Sequence, residues 1–173
     1  LAIRDVDGDG DGDFLRETGG HLMLHTQVGP EAFRMEADLG LAGTVHCIRF
    51  ADVNGDGEQD VLFADQAGDR IGAAFGLGAG SFAPVNDLVV GMNDPYRVEA
   101  ADLDGDGDLD LVHSSGDLTS IIAWSENQGG GSFVGNTTLS SGFFGSSYST
   151  EFESRFAIGD IDQDGDADIA LRA

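Results

Sequence analysis

A nine-residue pattern, D-x-[DN]-x-D-G-x-x-D, occurs four times in this 173-residue chain, at 5–13 (DVDGDGDGD), 52–60 (DVNGDGEQD), 102–110 (DLDGDGDLD) and 160–168 (DIDQDGDAD). The first aspartates of successive copies lie 47, 50 and 58 residues apart. Carboxylates crowded into so short a loop repel one another, so each copy is comfortable only around a bound cation. A period of this length also makes the chain an array of one repeated unit, stacked so that neighbours share a core.

The flanks of the loops define that unit. Two and four residues before each loop stand Ile3 and Leu1, Phe50 and Ile48, Ala100 and Val98, and Ile158 and Phe156. This period-two spacing marks a strand entering the loop. Position two is apolar in every copy (Val6, Val53, Leu103, Ile161), and so is the residue just after it (Phe14, Val61, Leu111, Ile169), which predicts a second strand leaving. Further on, Phe33, Phe82 and Phe133 follow VGPEA, GLGAGS and NQGGGS, turn-forming stretches that predict a hairpin between a third and a fourth strand. No segment carries the i, i+3, i+4, i+7 stripe of a helix, and 27 glycines weigh against one.

The expected fold is therefore all-β, with blades of four short antiparallel strands stacked radially as a β-propeller. Residues 1–173 form a single propeller region with repeats at about 1–46, 47–96, 97–154 and a partial 155–173. About three and a half blades make an arc rather than a ring, so closure is expected from the rest of a parent chain or from another subunit. A first residue of Leu1 rather than Met predicts a processed or excised chain. The longest unit contains residues 136–154, expected to be a strand and a long connecting loop; its Asn136-Thr137-Thr138 is a glycosylation sequon for a secretory source.

Formal charge is −24, yet 19 of the 32 acidic residues lie inside the four loops. The remaining surface is only mildly acidic and the chain has no lysine, which argues against nucleic acid and anionic lipid as partners. No apolar run approaches the roughly 20 residues of a membrane-spanning helix, so no membrane insertion is expected. Cys47 is the only cysteine, which rules out an intrachain disulfide and a cysteine-built zinc site.

Hard, flexible calcium takes six to eight oxygen ligands, and alternate loop positions converge on one point when the backbone curls. Positions 1, 3, 5 and 9 supply side-chain oxygens and position 7 a backbone carbonyl. The four expected Ca2+ sites are Asp5, Asp7, Asp9, Asp11 and Asp13; Asp52, Asn54, Asp56, Glu58 and Asp60; Asp102, Asp104, Asp106, Asp108 and Asp110; and Asp160, Asp162, Asp164, Asp166 and Asp168. Gly10, Gly57, Gly107 and Gly165 hold position six, where the sharp turn favours a left-handed residue. Asn54 lowers the charge of the second loop and predicts weaker binding there. Magnesium, which prefers a tight octahedron and keeps its waters, fits less well. A helical EF-hand fails, because its position-twelve glutamate is replaced by Arg16, Phe63, His113 and Leu171.

Other chemistry is sparse. His21, His25, His46 and His113 are dispersed, and the His21–His25 spacing does not form a zinc pair on a strand. No serine lies in G-x-S-x-G, and a lysine-free chain has no Walker loop. The clustered carboxylates that could serve glycoside hydrolysis are committed to metal. Cys47 is expected to be a packed thiol and Trp124 a packing residue. Trp124, Tyr96, Tyr148, Phe143 and Phe144 would stack on sugars if exposed. No catalytic residue is identified, and the chain is expected not to be an enzyme.

The loops, their strand flanks and the segment Ile122-Ala123-Trp124-Ser125-Glu126-Asn127 followed by Gly131-Ser132-Phe133 resemble the FG-GAP/VCBS repeat family. The resemblance covers almost the whole chain. It implies blades of integrin-α-like propellers, usually seven in a ring, with calcium in the loop between the first two strands of each blade. It further implies an extracellular module, secreted or at the cell surface, for adhesion, for binding a glycan or protein ligand, or for assembly, with calcium in a structural role. The alternatives are a catalytic or accessory propeller of a secreted polysaccharide-degrading enzyme, and a subunit of an extracellular structural assembly.

Overall fold

A computed structural model describes residues 1–41, 43–116, 121–141 and 156–171. Among these residues there are fourteen strands and no helix. The strands form three four-stranded antiparallel meanders and one pair. Blade 1 comprises β1 (Ala2–Arg4), β2 (Asp13–Thr18), β3 (His21–Gly29) and β4 (Ala32–Asp38). Blade 2 comprises β5 (Val45–Ala51), β6 (Asp60–Asp65), β7 (Arg70–Ala74) and β8 (Asn86–Val90). Blade 3 comprises β9 (Pro95–Ala101), β10 (Asp110–Ser115), β11 (Ile121–Asn127) and β12 (Phe133–Ser141). The last pair is β13 (Phe156–Gly159) with β14 (Asp168–Leu171). This is the all-β arrangement of propeller blades that the repeat predicts.

Each acidic motif lies between the first and second strands of its sheet, and position nine opens the second strand. Register follows from this: Arg4 pairs with Asp13, Ala51 with Asp60, Ala101 with Asp110 and Gly159 with Asp168. The aromatics after the glycine-rich turns sit where the fourth strand starts. Phe33 lies in β4, Phe133 begins β12, and Phe82 bridges to Gly76 ahead of β8.

Three apolar layers hold the blades together. Leu15, Leu22 and Leu24 of blade 1 meet Ile48, Val61, Phe63 and Ala74 of blade 2. On the other face of blade 2, Leu62, Ala64, Ile71 and Val89 meet Val98 and Leu111 of blade 3. Val112 and Ile122 then meet Phe156. Alternation along a strand produces this division, since neighbours such as Val61 and Leu62 point to opposite faces. Each fully buried Leu or Phe contributes about 1.5–3 kcal/mol. Gly72 is required by one close approach: a Cβ there would lie 2.4 Å from Cζ of Phe63.

Polar contacts supplement the seam between blades 2 and 3. Arg49 of β5 grips Glu99 of β9 through Nε at 2.9 Å and Nη2 at 2.7 Å, and Arg97 shares the same carboxylate at 2.8 Å. Burial acts to raise the Glu99 pKa, but the two guanidiniums outweigh it and hold the group below its ordinary value. Cys47 is buried beside this network, its thiol donating to the Val98 carbonyl at 3.5 Å, with burial pushing its pKa up. It is a packed thiol.

Candidate metal centre

The loops curl around the carboxylate at position one. Asp5 accepts the backbone N–H of Gly8 at 2.8 Å on one oxygen and that of Gly10 at 3.0 Å on the other. Asp52 does the same for Gly55 and Gly57, both at 2.8 Å, and Asp102 for Gly105 at 2.8 Å and Gly107 at 3.0 Å. In the fourth loop Asp160 accepts from Asp164 and Gly165, each at 3.1 Å. Position five in turn accepts from the N–H of position seven: Asp9 from Asp11, Asp56 from Glu58, Asp106 from Asp108 and Asp164 from Asp166, at 2.8–3.0 Å. The side chains of Asp11, Glu58 and Asp166 are exposed.

Two positions in each loop take left-handed backbone. Position six has φ of 92° at Gly10, 90° at Gly57, 97° at Gly107 and 100° at Gly165. Position four has φ of 79° at Gly8, 73° at Gly55, 78° at Gly105 and 67° at Gln163. An added Cβ at these glycines would meet nothing within 4 Å, so backbone conformation alone selects the residue. Gln163 adopts the same conformation with a side chain, a strain of about 1 kcal/mol. The expectation drawn from position six alone missed position four, although three of the four copies spell D-x-[DN]-G-D-G.

Position nine is a latch into the sheet. Asp13, Asp60 and Asp110 are completely buried. One oxygen of each accepts the N–H of position two of its own loop, from Val6 and Val53 at 2.9 Å and Leu103 at 3.2 Å. The other accepts a backbone N–H at the third strand, from Gln27 at 2.9 Å, and from Gly76 and Asn127 at 2.8 Å. Asp168 is half-buried and accepts from Ile161 at 2.9 Å. The first two loops are also tied forward to the next blade. The Gly80 N–H donates to the Val6 carbonyl at 3.0 Å, and Asn127 Nδ2 donates to the Val53 carbonyl at 2.8 Å.

The same curl gathers oxygen donors. Asp5, Asp7 and Asp13 each present a carboxylate oxygen, all within 4.8 Å of one another, and so do Asp102, Asp104 and Asp106, and Asp160, Asp162 and Asp168. In the second loop the Asn54 amide donates to Asp56 at 3.0 Å, a neutral side chain relieving the charge that its counterparts carry. Burial, followed by the charges of Asp13, Asp9 and Asp5, raises the pKa of Asp7; burial, followed by Asp106, Asp110 and Asp102, raises that of Asp104. Burial is also the main reason that the Asp60 pKa is raised, with its backbone donors opposing. An all-oxygen, mainly carboxylate set on a flexible loop fits a hard divalent cation and offers no sulfur or nitrogen for a softer one.

The remaining candidates are dispersed. His21 pairs with Asp38 at 2.8 Å, while His25 stacks on Phe14 with ring centroids 4.7 Å apart and accepts from Arg16 Nε at 3.3 Å. His46 stacks on Tyr96 and contacts Gln66 at 2.8 Å. Trp124 is half-buried in β11. Residues 136–141 of the segment expected to be a strand and a long loop lie in β12, while its residues 142–154, with Phe143, Phe144 and Tyr148, lie outside the described residues.

No curated protein is detectably similar in sequence. Two solved structures share the fold. A lectin from Agrocybe aegerita, described as specifically recognising non-reducing terminal N-acetylglucosamine, matches with a TM-score of 0.56 and 23% identity over 82% of this chain and 38% of its own. The Tc holotoxin pore of Photorhabdus luminescens matches with a TM-score of 0.57 and 21% identity over 96% of this chain and 8% of its own. The chain thus spans well under half the length of either. The model for the FG-GAP-like repeat matches twice, over residues 5–63 and 52–113, each match containing two consecutive acidic loops. With most of its length covered by these two overlapping matches, the chain belongs to the FG-GAP-like repeat family.

Proposed function

We propose that this chain is a calcium-loaded propeller module of the extracellular space, serving adhesion, ligand binding or assembly without catalysis of its own. The observation that carries the reading is the triplet of carboxylate oxygens held within 4.8 Å in each of three loops. The residues that would hold the ion are those at positions 1, 3, 5 and 9, in the second loop Asp52, Asn54, Asp56 and Asp60. A bound divalent ion supplies positive charge that cancels the mutual repulsion of these carboxylates and fixes the turn between the first two strands. In the first loop position nine carries that order into the sheet, because Asp13 joins the oxygen triplet and also accepts the N–H of Gln27 on the third strand. Millimolar calcium, typical outside cells, matches acidic loops of weak to moderate affinity. The lectin and toxin likenesses favour a glycan or a protein as the ligand.

The test is thermal unfolding in calcium and in excess EGTA. At free calcium about 100 times a site's Kd, each occupied site adds roughly 2.7 kcal/mol. Several such sites are a large part of a margin of about 5–15 kcal/mol, so chelation lowers the Tm steeply. Identical melts in calcium and EGTA would refute the reading.

A further inference from the structure

Two arginines share one carboxylate at the seam between blades 2 and 3. Arg49 donates to Glu99 through Nε at 2.9 Å and Nη2 at 2.7 Å, and its Nη1 donates to the Ile48 carbonyl at 2.9 Å. These bonds engage three of its five N–H groups, and among the described residues the other two have no acceptor. Arg97 reaches the same carboxylate through Nε at 3.1 Å and Nη2 at 2.8 Å. Glu99 therefore cancels one of two positive charges, and one is left over in a chain whose formal charge is −24. A surplus guanidinium beside another favours a second anion, and its planar fork of donors is the geometry that grips an oxyanion.

Both arginines line a cavity of about 160 Å3, which His46 and Cys47 of β5 and Tyr96 of β9 complete. Its described lining contains no carboxylate, Glu99 included. The side chains of Arg49 and Arg97 are 40% and 20% exposed, so solvent reaches both. Cys47 adds no charge, because burial pushes its thiol pKa up. His46 is exposed and stacks on Tyr96 with ring centroids 4.8 Å apart, which gives the cavity an aromatic rim. Strands β5 and β9 run towards the acidic loops at 52–60 and 102–110, and His46, Cys47, Tyr96 and Arg97 lie in their first halves. The cavity is thus at the end of the seam away from those loops. It is smaller than the roughly 300 Å3 or more of a drug-sized site, and suits one charged group rather than a whole ligand.

We propose that this cavity binds the acid group of an acidic sugar, a carboxylate or a sulfate ester, with its oxygens accepting from Arg49 and the sugar ring resting at the His46–Tyr96 rim. One surplus charge on the protein matches a singly charged group. A neutral sugar leaves that charge unmet, and a cation is repelled by it. The apolar C–H face of a sugar ring packs on aromatic surface, whereas an acidic peptide side chain brings the charge without such a face. The proposal deepens the ligand-binding reading above and rests on it.

The experiment is an array carrying neutral, carboxylated and sulfated oligosaccharides and a poly-aspartate peptide, probed at saturating calcium with the wild type, Arg49→Gln and His46→Ala. His46 is exposed, so its variant should keep the wild-type Tm even if Arg49→Gln, which takes one partner from Glu99, loses stability. The expected result is binding to acidic glycans that weakens about tenfold or more in both variants, with the carboxylated and sulfated spots telling which acid group is held. The proposal is overturned if no acidic glycan binds, if neutral glycans bind as well as acidic ones, or if poly-aspartate binds as tightly as they do. It is also overturned if either variant binds as the wild type does, because the sugar is then held elsewhere. The calcium melt is independent of all these outcomes, so the cavity can fail while the calcium-loaded module stands.

Discussion

Blades 1 and 2 share a topology but differ in how many of their faces are covered. In β6 of blade 2 all six residues, Asp60 to Asp65, are buried, because one face meets blade 1 and the other meets blade 3. In β2 of blade 1 only Asp13 and Leu15 are buried; Phe14 is partly covered, and Arg16, Glu17 and Thr18 are exposed. The other face of blade 1 leaves Ile3 68%, Met35 60% and Phe33 46% exposed. The sequences carry this difference: β6 reads Val-Leu-Phe-Ala without interruption, while β2 places Arg16 on the open face one residue beyond buried Leu15. Among the described residues, a continuous apolar strand goes with two covered faces and an alternating one with a single covered face.

The largest test of this contrast is truncation of one aromatic in each blade. Phe63→Ala, at a completely buried site, should cost about 3–5 kcal/mol in urea unfolding at saturating calcium, whereas Phe14→Ala should cost about 1–2 kcal/mol. Equal losses would mean that the open face of blade 1 is covered in solution.

Acid titration separates the sealed seam from the open face next. Burial lowers the His113 pKa from 6.5 to about 4; burial and the Arg16 charge lower that of exposed-face His25. A depressed folded pKa means that the unfolded chain takes the proton first. His113 therefore contributes fully above about pH 6.5, and its contribution is lost as pH falls towards 4. Over that window wild-type stability should fall by about 3 kcal/mol more than that of His113→Gln. Parallel curves would place the imidazole in contact with water.

The latch gives a comparison of intermediate size. Asp60→Ala strips two buried backbone N–H groups of their acceptor and should cost about 2–3 kcal/mol even in EGTA, while Asp168→Ala, half-buried with one such bond, should cost about 1 kcal/mol. If the two agree, the bond to the third strand adds nothing. The smallest effect concerns the second loop. Asn54→Asp restores the charge of its three counterparts and should tighten calcium binding by about 1 kcal/mol, roughly fivefold by calorimetry. Unchanged affinity would show that the Asn54 amide oxygen is already an equal ligand.

The first half of each blade was legible because its signals are local. Aspartates at fixed spacing mark the loop, and Ile48 and Phe50 before it and Val61 after it mark the strands. The third-strand end of the latch was not, because Gln27, Gly76 and Asn127 have nothing chemically in common and contribute only their backbone N–H. The cavity at Arg49 was hidden for a related reason. An arginine in a strand says little until Tyr96 and Arg97 of the neighbouring blade line the same cavity.

The forward ties from Val6 to Gly80 and from Val53 to Asn127 give the stack a direction. The first and second acidic bends each lend a carbonyl to the blade that follows. A bend that loosens therefore withdraws an acceptor from its successor, and Asn127, which also serves Asp110 through its N–H, would transmit the disturbance to the next bend along. The disturbance should then pass from the second bend to the third, as a zipper opens from one end.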